Sequence, residues 1–464
     1  MAATSWGRLS RSARGIRASS QWVAQRACRT AGWTIWPYSR RVSTPLLVTT
    51  AAPRVRTVPI EDPGPLLERL PAAGGTAWVN GGDGLIGWGV AASVDVNGDE
   101  RFSRTQRWWV EWCRQADIDD PLQLPGTGPV AFGSFTFDPD PASGRMSRIV
   151  IPRAVLGRRD GHTWLTIVGD PDDTLPADAL LPSVFHPPAP TRVDWSRGSR
   201  TAEEWKSSVA DVIDRIGRGE LDKVVLARDV VAEVSDDFDV RYLLLRLAAA
   251  YPECWTFQVD DMVGATPELL VRRTNDVVLS RVLAGTVKRR GDESEDATLA
   301  KALLGSDKDL EEHEYAVRSV ARALAHHCTD LRVPTQPRVL RLSNVQHLAT
   351  DITGRLADGA SALALAASLH PTAAVCGSPT ERAFAVIREV EGMDRGRYAG
   401  PVGWFDSRGD GEFGIALRCA EVRPGSLRLF AGCGIVTGSD PEAELAESRA
   451  KFVPIRAALG DPVD

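Results

Sequence analysis

The stretch Phe430-Ala-Gly-Cys-Gly-Ile-Val436 reads as a strand and runs directly into Ser439-Asp440-Pro441-Glu442, the opening of a helix. The opening has a capping residue followed by Pro at the first helical position. Glycines in the strand permit close approach by another backbone. On the helix, Glu444, Glu447 and Lys451 fall at i, i+3 and i+7, on one face. Carboxylates one turn apart can converge on a single hard cation, which wants oxygen ligands. Taken alone, such a pattern is more often a solvated face with a salt bridge. Lys451 is, however, one of only six lysines (206, 223, 288, 301, 308 and 451) beside 49 arginines, so a lysine in a motif is conspicuous.

Upstream, strand runs and helix runs are segregated rather than alternated. From Thr76 to about Val193 the chain reads as short strands, such as 129–137 and 146–152, punctuated by Gly, Pro and Asp. A Pro-rich connector follows at 185–191. Thr201-Ala-Glu-Glu204 is a capping box, and Trp205, Val209, Val212, Ile213 and Ile216 follow at helical spacing. Strands are predicted at 223–234, 255–259, 269–273 and 277–284, with a helix over 240–251. A long helical stretch covers about 293–327, and strands return at 400–405, 411–423 and 427–435. This order favours an α+β fold with mostly antiparallel sheets over a βαβ fold.

The 464 residues carry 55 Lys+Arg against 61 Asp+Glu, a net charge of −6, with 43% hydrophobic and 25% charged residues. These values describe a globular chain and exclude a collagen, a coiled coil and a wholly disordered protein. Length alone suggests two or three domains. The seven cysteines are odd in number and lack CxxC spacing, which argues for reduced, cytoplasmic thiols and against a cysteine zinc site. No apolar run is long enough for a membrane span, and the acidic balance disfavours nucleic acid. Residues 1–60 hold ten Arg and no acid, leaving −16 on the rest. This segment resembles a transit peptide or an over-extended start, with the protein beginning near Val42 or Val48. It is expected to be disordered, with the folded part spanning 61–464.

Other residues are candidates for chemistry. Asp309, Glu312 and His313 lie at i, i+3 and i+4 of the long helical stretch, as metal ligands or as an exposed face; with no HExxH, zinc is disfavoured. Lys223 opens an apolar strand, where desolvation would lower its pKa and make it a base, or where it is simply a strand-end lysine. Glu268 follows Pro267 as a turn residue or, in an apolar setting, as a protonated acid. Leu283-Ala-Gly-Thr286 offers backbone N–H groups and a hydroxyl. His347 and His370 are core or turn histidines or site residues. Arg418, between apolar neighbours, needs an anionic partner if buried.

In chain order these pieces form a constellation: Lys223-Val-Val-Leu-Ala-Arg228, Ala265-Thr-Pro-Glu268, Leu283-Ala-Gly-Thr286, Lys308-Asp-Leu-Glu-Glu-His313 and Val345-Gln-His-Leu348. Leu369-His-Pro-Thr-Ala-Ala-Val-Cys-Gly-Ser-Pro379, Arg395-Gly-Arg-Tyr-Ala-Gly-Pro-Val-Gly403, Ile415-Ala-Leu-Arg418 and Ala431-Gly-Cys-Gly-Ile-Val436 continue it, and Glu444-x-x-Glu447-x-x-x-Lys451 closes it. The series, over about 200–455, resembles the chorismate-utilising enzymes, most closely the isochorismate synthases. Lys223, with Ala284 before Gly285, resembles the water-using branch rather than the ammonia-using synthases. The nearly intact 369–379 segment sets the chain apart from salicylate synthases. Ala373, where related synthases often have Pro, is a departure that bears on fine specificity.

The resemblance implies a single large α+β domain of two mostly antiparallel sheets packed together with outer helices. It implies conversion of chorismate to isochorismate, with Lys223 as base and Glu268 as acid. It implies Mg²⁺ on Glu312 and Glu447 with Glu444 close by, holding the ring carboxylate with help from Gly285, Thr286 and Lys451. Arg418, Tyr398 and the Gly432 backbone would hold the enolpyruvyl carboxylate, while His347 and Ala374 lie near the substrate. A monomer without an amidotransferase subunit is expected, because water is the nucleophile. The rival readings are a salicylate synthase and a catalytically silent chorismate-binding paralogue.

Overall fold

The computed structural model describes residues 52–169 and 181–461. Among them two large sheets form, and every strand pair but one is antiparallel. The larger sheet runs Val193–Arg197, Lys223–Val234, Ser426–Ile435, Cys419–Arg423, Met262–Thr266, Trp255–Val259, Thr76–Asn80, Asp83–Trp88, Ala154–Arg159, His162–Gly169, Arg54–Pro59 and Asp117–Asp119. The short pair Gly377–Ser378 adds to the start of Lys223–Val234. The second sheet runs Cys328–Arg332, Val345–Leu356, Val277–Lys288, Leu269–Thr274, Gly411–Ile415, Pro401–Asp406, Val130–Ser134, Ser147–Ile151 and Ala92–Val96, with Arg338–Arg341 beside Val345–Leu356.

The α+β architecture of two mostly antiparallel sheets with outer helices is therefore as expected, in one compact unit from residue 51 onward. One core includes Trp78, Phe132, Trp164, Trp404 and Phe413, drawn from both sheets. A second joins Leu243, Leu244 and Leu247 of the Val240–Ala250 helix to Leu427, Leu429, Phe452 and Ile455. The Ala202–Gly217 helix begins at the predicted capping box, a device worth about 1 kcal/mol. Its Trp205 is buried and donates from Nε1 to the Ala227 carbonyl at 3.1 Å. Its buried Val209 and Val212 stabilise the packing by roughly 1.5–3 kcal/mol each.

Four expectations need correction. The extension does not reach residue 60: Arg54–Pro59 is a strand, because Val55 and Thr57 alternate inward between exposed arginines. The rest of that expectation, on residues 1–51, lies outside the described residues. Within the supposed all-strand region, Arg101–Gln115 is a helix whose Phe102, Thr105 and Trp109 are buried at helical spacing. The long helical stretch is two helices, Glu293–Leu304 and Asp307–Leu324. Gly305 ends the first, and the Ser306 side chain caps the second by accepting from the Asp309 N–H. Finally, 411–423 is two strands, and they belong to different sheets.

Two of the chain's passages between the sheets lie at neighbouring places. Residues 267–268 join Met262–Thr266 of the larger sheet to Leu269–Thr274 of the second, and residues 416–418 return from Gly411–Ile415 to Cys419–Arg423. The crossings are tied together. Thr266 Oγ1 donates to the Ile415 carbonyl at 2.7 Å, Ile415 N–H to the Glu268 carbonyl at 3.2 Å, and Ala265 N–H to the Arg418 carbonyl at 3.2 Å.

Candidate active site

A cleft open to solvent lies beside the crossings. Glu268, Thr286, Glu312, His347, Ala374, Tyr398, Arg418, Gly432, Glu447 and Lys451 all line it. Lys223, Gly285 and Glu444 do not, but each adjoins a residue that does. Ala373 is buried off the cavity, while its neighbour Ala374 reaches it. The departure from the family pattern at 373 is therefore one step removed from the wall.

Lys223 begins its strand fully buried, with Nζ 3.1 Å from Glu312 Oε1. The geometry makes an ion pair but no hydrogen bond. Antiparallel register sets Val225 opposite Gly434 and Ala227 opposite Gly432. Gly434 is required here: a Cβ would lie 2.2 Å from Glu312 Oε1 and 3.0 Å from Lys223 Cε. Gly432 keeps its carbonyl for Lys451 Nζ, 2.7 Å away. A Cβ at Gly432 would come within 3.1 Å of the Tyr398 hydroxyl. The buried Tyr398 ring stacks on Phe430 at 4.9 Å, and burial holds its phenol above the usual value.

Glu268 occupies the first crossing, 5% exposed. Burial pushes its carboxyl up to about 8, against the opposing charges of Lys223, Arg418 and Lys451. Arg418 occupies the second crossing with φ +47°, not a strand as the sequence suggested. Among the described residues its guanidinium makes no salt bridge, so it is free to meet an anion.

A bulge at Ala284/Thr286 lets Thr286 pair with His347, and Gly285 supplies the φ of +75° that the bulge needs. Thr286 Oγ1 lies 3.0 Å from His347 Nδ1, while Nε2 has no partner. Burial, then Arg418 and Lys451, push this imidazole down to about 3, so it is neutral over ordinary pH.

The acidic corner collects Glu312 from the Asp307–Leu324 helix and Glu444 and Glu447 from the Pro441–Ala458 helix. Ligating atoms of Cys433, Glu444 and Glu447 lie within 4.8 Å of one another. Burial pushes the Cys433 thiol far up, and it donates to the Glu444 carbonyl at 3.3 Å. Burial, then neighbouring Glu447, raises Glu444 above the usual carboxylate range. Burial works most strongly against the Glu447 charge, but Lys451 at 2.6 Å, Lys308 and Arg418 together outweigh it and hold Glu447 below that range. Two carboxylates on the cavity and a third beside them form an oxygen donor set that suits a hard divalent cation.

Sequence reasoning missed two supporting groups. Arg395 donates to Glu391 at 2.8 and 2.6 Å and to the Val375 and Val225 carbonyls at 2.8 Å each, fixing the wall. Its spacing of four from Glu391 is the available signal. Lys308 donates to Glu444 at 3.1 Å, a pairing between distant helices that no local pattern reveals. His370 lies off the cavity and donates from Nε2 to the Phe137 carbonyl at 3.0 Å. His313 is buried, 2.8 Å from Thr350 Oγ1.

Comparison with known proteins identifies the family. The profile of the family described as "Chorismate binding enzyme" matches residues 78–460. The chain is 36% identical to the salicylate biosynthesis isochorismate synthase of Pseudomonas aeruginosa, over 81% of this chain and 82% of that protein. It is 32% identical to the isochorismate synthase MenF of Bacillus subtilis, over 81% and 85%. The solved menaquinone-specific isochorismate synthase of Escherichia coli superposes with a TM-score of 0.71 at 27% identity, covering 88% of this chain and 95% of that one. The chain belongs to the family of chorismate binding enzymes.

Proposed function

We infer that this protein is an isochorismate synthase, an isomerase that converts chorismate to isochorismate. The observation that carries the reading is a carboxyl held protonated to about pH 8, Glu268, in a cavity that also presents Arg418, Lys451 and an acidic corner. Chorismate carries two carboxylates, a ring diene and a hydroxyl at C4. The reaction adds water at C2, shifts the double bonds and expels the C4 hydroxyl.

In this assignment Lys223, as the neutral amine, takes a proton from the attacking water, and the resulting hydroxide bonds to C2. Glu268 gives its proton to the departing C4 oxygen, which leaves as water, so atoms and charge balance. Arg418 clamps the enolpyruvyl carboxylate, with Tyr398 and the Gly432 backbone beside it. Thr286 and Gly285 orient His347 at the ring, and Ala374 closes the wall. Glu312 and Glu447, with Glu444 beside them, would hold a Mg²⁺ ion, whose charge would neutralise the ring carboxylate. Isochorismate synthases as a class depend on a metal.

The protein is further proposed to work as a cytoplasmic monomer without an amidotransferase subunit. Its six described cysteines are all free, as a reducing compartment allows, and water replaces ammonia as nucleophile. Among the described residues no helix is long and apolar enough to cross a membrane. Chromatography of products from purified protein, chorismate and Mg²⁺ tests the reading. Isochorismate in equilibrium with chorismate is expected. Salicylate with pyruvate would assign the salicylate branch instead, and unchanged chorismate would refute the enzyme.

A further inference from the structure

Each carboxylate of the acidic corner has its own lysine. Glu312 pairs with Lys223 at 3.1 Å, Glu447 with Lys451 at 2.6 Å and Glu444 with Lys308 at 3.1 Å. Half of the chain's six lysines are used this way. The third pair differs from the others. The Lys308 side chain is 42% exposed, whereas Lys223 is fully buried and Lys451 is only 13% exposed. Glu444 is almost wholly buried, yet unlike Glu312 and Glu447 it does not line the cavity.

We propose that Lys308 is a positioning residue that withholds Glu444 from the cation, so that the bare site offers only Glu312 and Glu447. The inference rests on the cation site proposed above. Lys308 stands at the start of the Asp307–Leu324 helix and reaches across to the first turn of Pro441–Ala458. Among the described residues its direct contact is with Glu444 alone, at 3.1 Å, so it opposes a cation by occupying that carboxylate. A site kept one carboxylate short is completed by the substrate's own carboxylate, which couples cation binding to substrate binding. Without Lys308, the buried Glu444 faces Glu447 with no counter-charge of its own, and a cation relieves that repulsion.

The test uses the full chain without chorismate and reads Mn²⁺ binding from the electron paramagnetic resonance signal of the free ion. Lys308→Met should bind Mn²⁺ about tenfold more tightly than wild type, the scale of one further carboxylate released to the cation in a partly buried site. Lys308→Arg should restore wild-type affinity. In a Glu444→Gln background, where no buried charge is left uncompensated, adding Lys308→Met should leave affinity within about twofold. Unchanged or weaker binding by Lys308→Met would overturn the proposal, as would tightening that persists in the Glu444→Gln background. The double variant keeps the question answerable if Lys308→Met alone does not fold. Failure of the cation site itself reads differently: wild type would then retain no Mn²⁺.

Discussion

Replacing Glu268 by Gln removes the proposed acid while keeping its shape, and the structure fixes what this should do to stability as well as to rate. Burial raises the folded-state value from 4.5 to about 8. The folded state therefore binds this proton more tightly than the unfolded chain does. Wild type has the full benefit below pH 4.5 and loses it as pH climbs through 8, because an ionised carboxylate is then trapped in the wall. At about 1.4 kcal/mol per pH unit of separation, the loss approaches 5 kcal/mol as an upper bound. Glutamine has no such dependence. Urea unfolding of both proteins at pH 5 and pH 8.5, without chorismate, should show the variant gaining on wild type by 2 kcal/mol or more between the two pH values. Turnover should fall by about 10²–10⁴-fold, the usual contribution of a positioned acid. Wild-type turnover should decline above about pH 8 as the acid ionises. A stability difference that does not change between pH 5 and pH 8.5 would refute the argument that this carboxyl is kept protonated by burial.

Three further outcomes follow from the site. Lys223→Ala should lose about 10²–10⁴-fold in turnover with its circular dichroism spectrum intact, and full activity would sink the base assignment. EDTA should abolish turnover and added Mg²⁺ should restore it; steady turnover in chelator would remove the metal from the site. Arg418→Met should raise KM for chorismate by roughly 10–100-fold, the worth of charge-assisted hydrogen bonds to a carboxylate, with a smaller change in kcat. An unaltered KM would mean that the guanidinium does not meet the substrate.

Much of this site was legible wherever its residues are organised by local periodicity. Glu444, Glu447 and Lys451 share a helix face because 3.6 residues per turn puts them there, and Lys223 stands out as a lysine opening an apolar strand. Legibility failed where the deciding contact is long-range. Arg418 is flanked on both sides by strand-like residues, so nothing local shows that the chain leaves one sheet for the other at 416–418. The Arg101–Gln115 helix was hidden by its tryptophans, which favour strands when counted singly, although Phe102, Thr105 and Trp109 are buried at helical spacing. Lys308 is paired with a residue 136 positions away.

The two crossings explain why the proposed acid and the proposed anion clamp, with opposite electrostatic needs, share one wall. At a crossing the backbone leaves one ladder before joining the next, so side chains there escape strict inward–outward alternation. Glu268 is buried deeply enough to keep its proton, while Arg418, at φ +47°, is turned to face the same cavity. Neither crossing is loose. Thr266 Oγ1 donates to Ile415 and accepts from the Glu268 N–H at 3.3 Å, and Ala265 holds the Arg418 carbonyl. Each crossing is thereby braced by the strand that leads into the other. A substrate that must be protonated at one end and clamped at the other meets both groups already placed, so little of its binding energy is needed to order them.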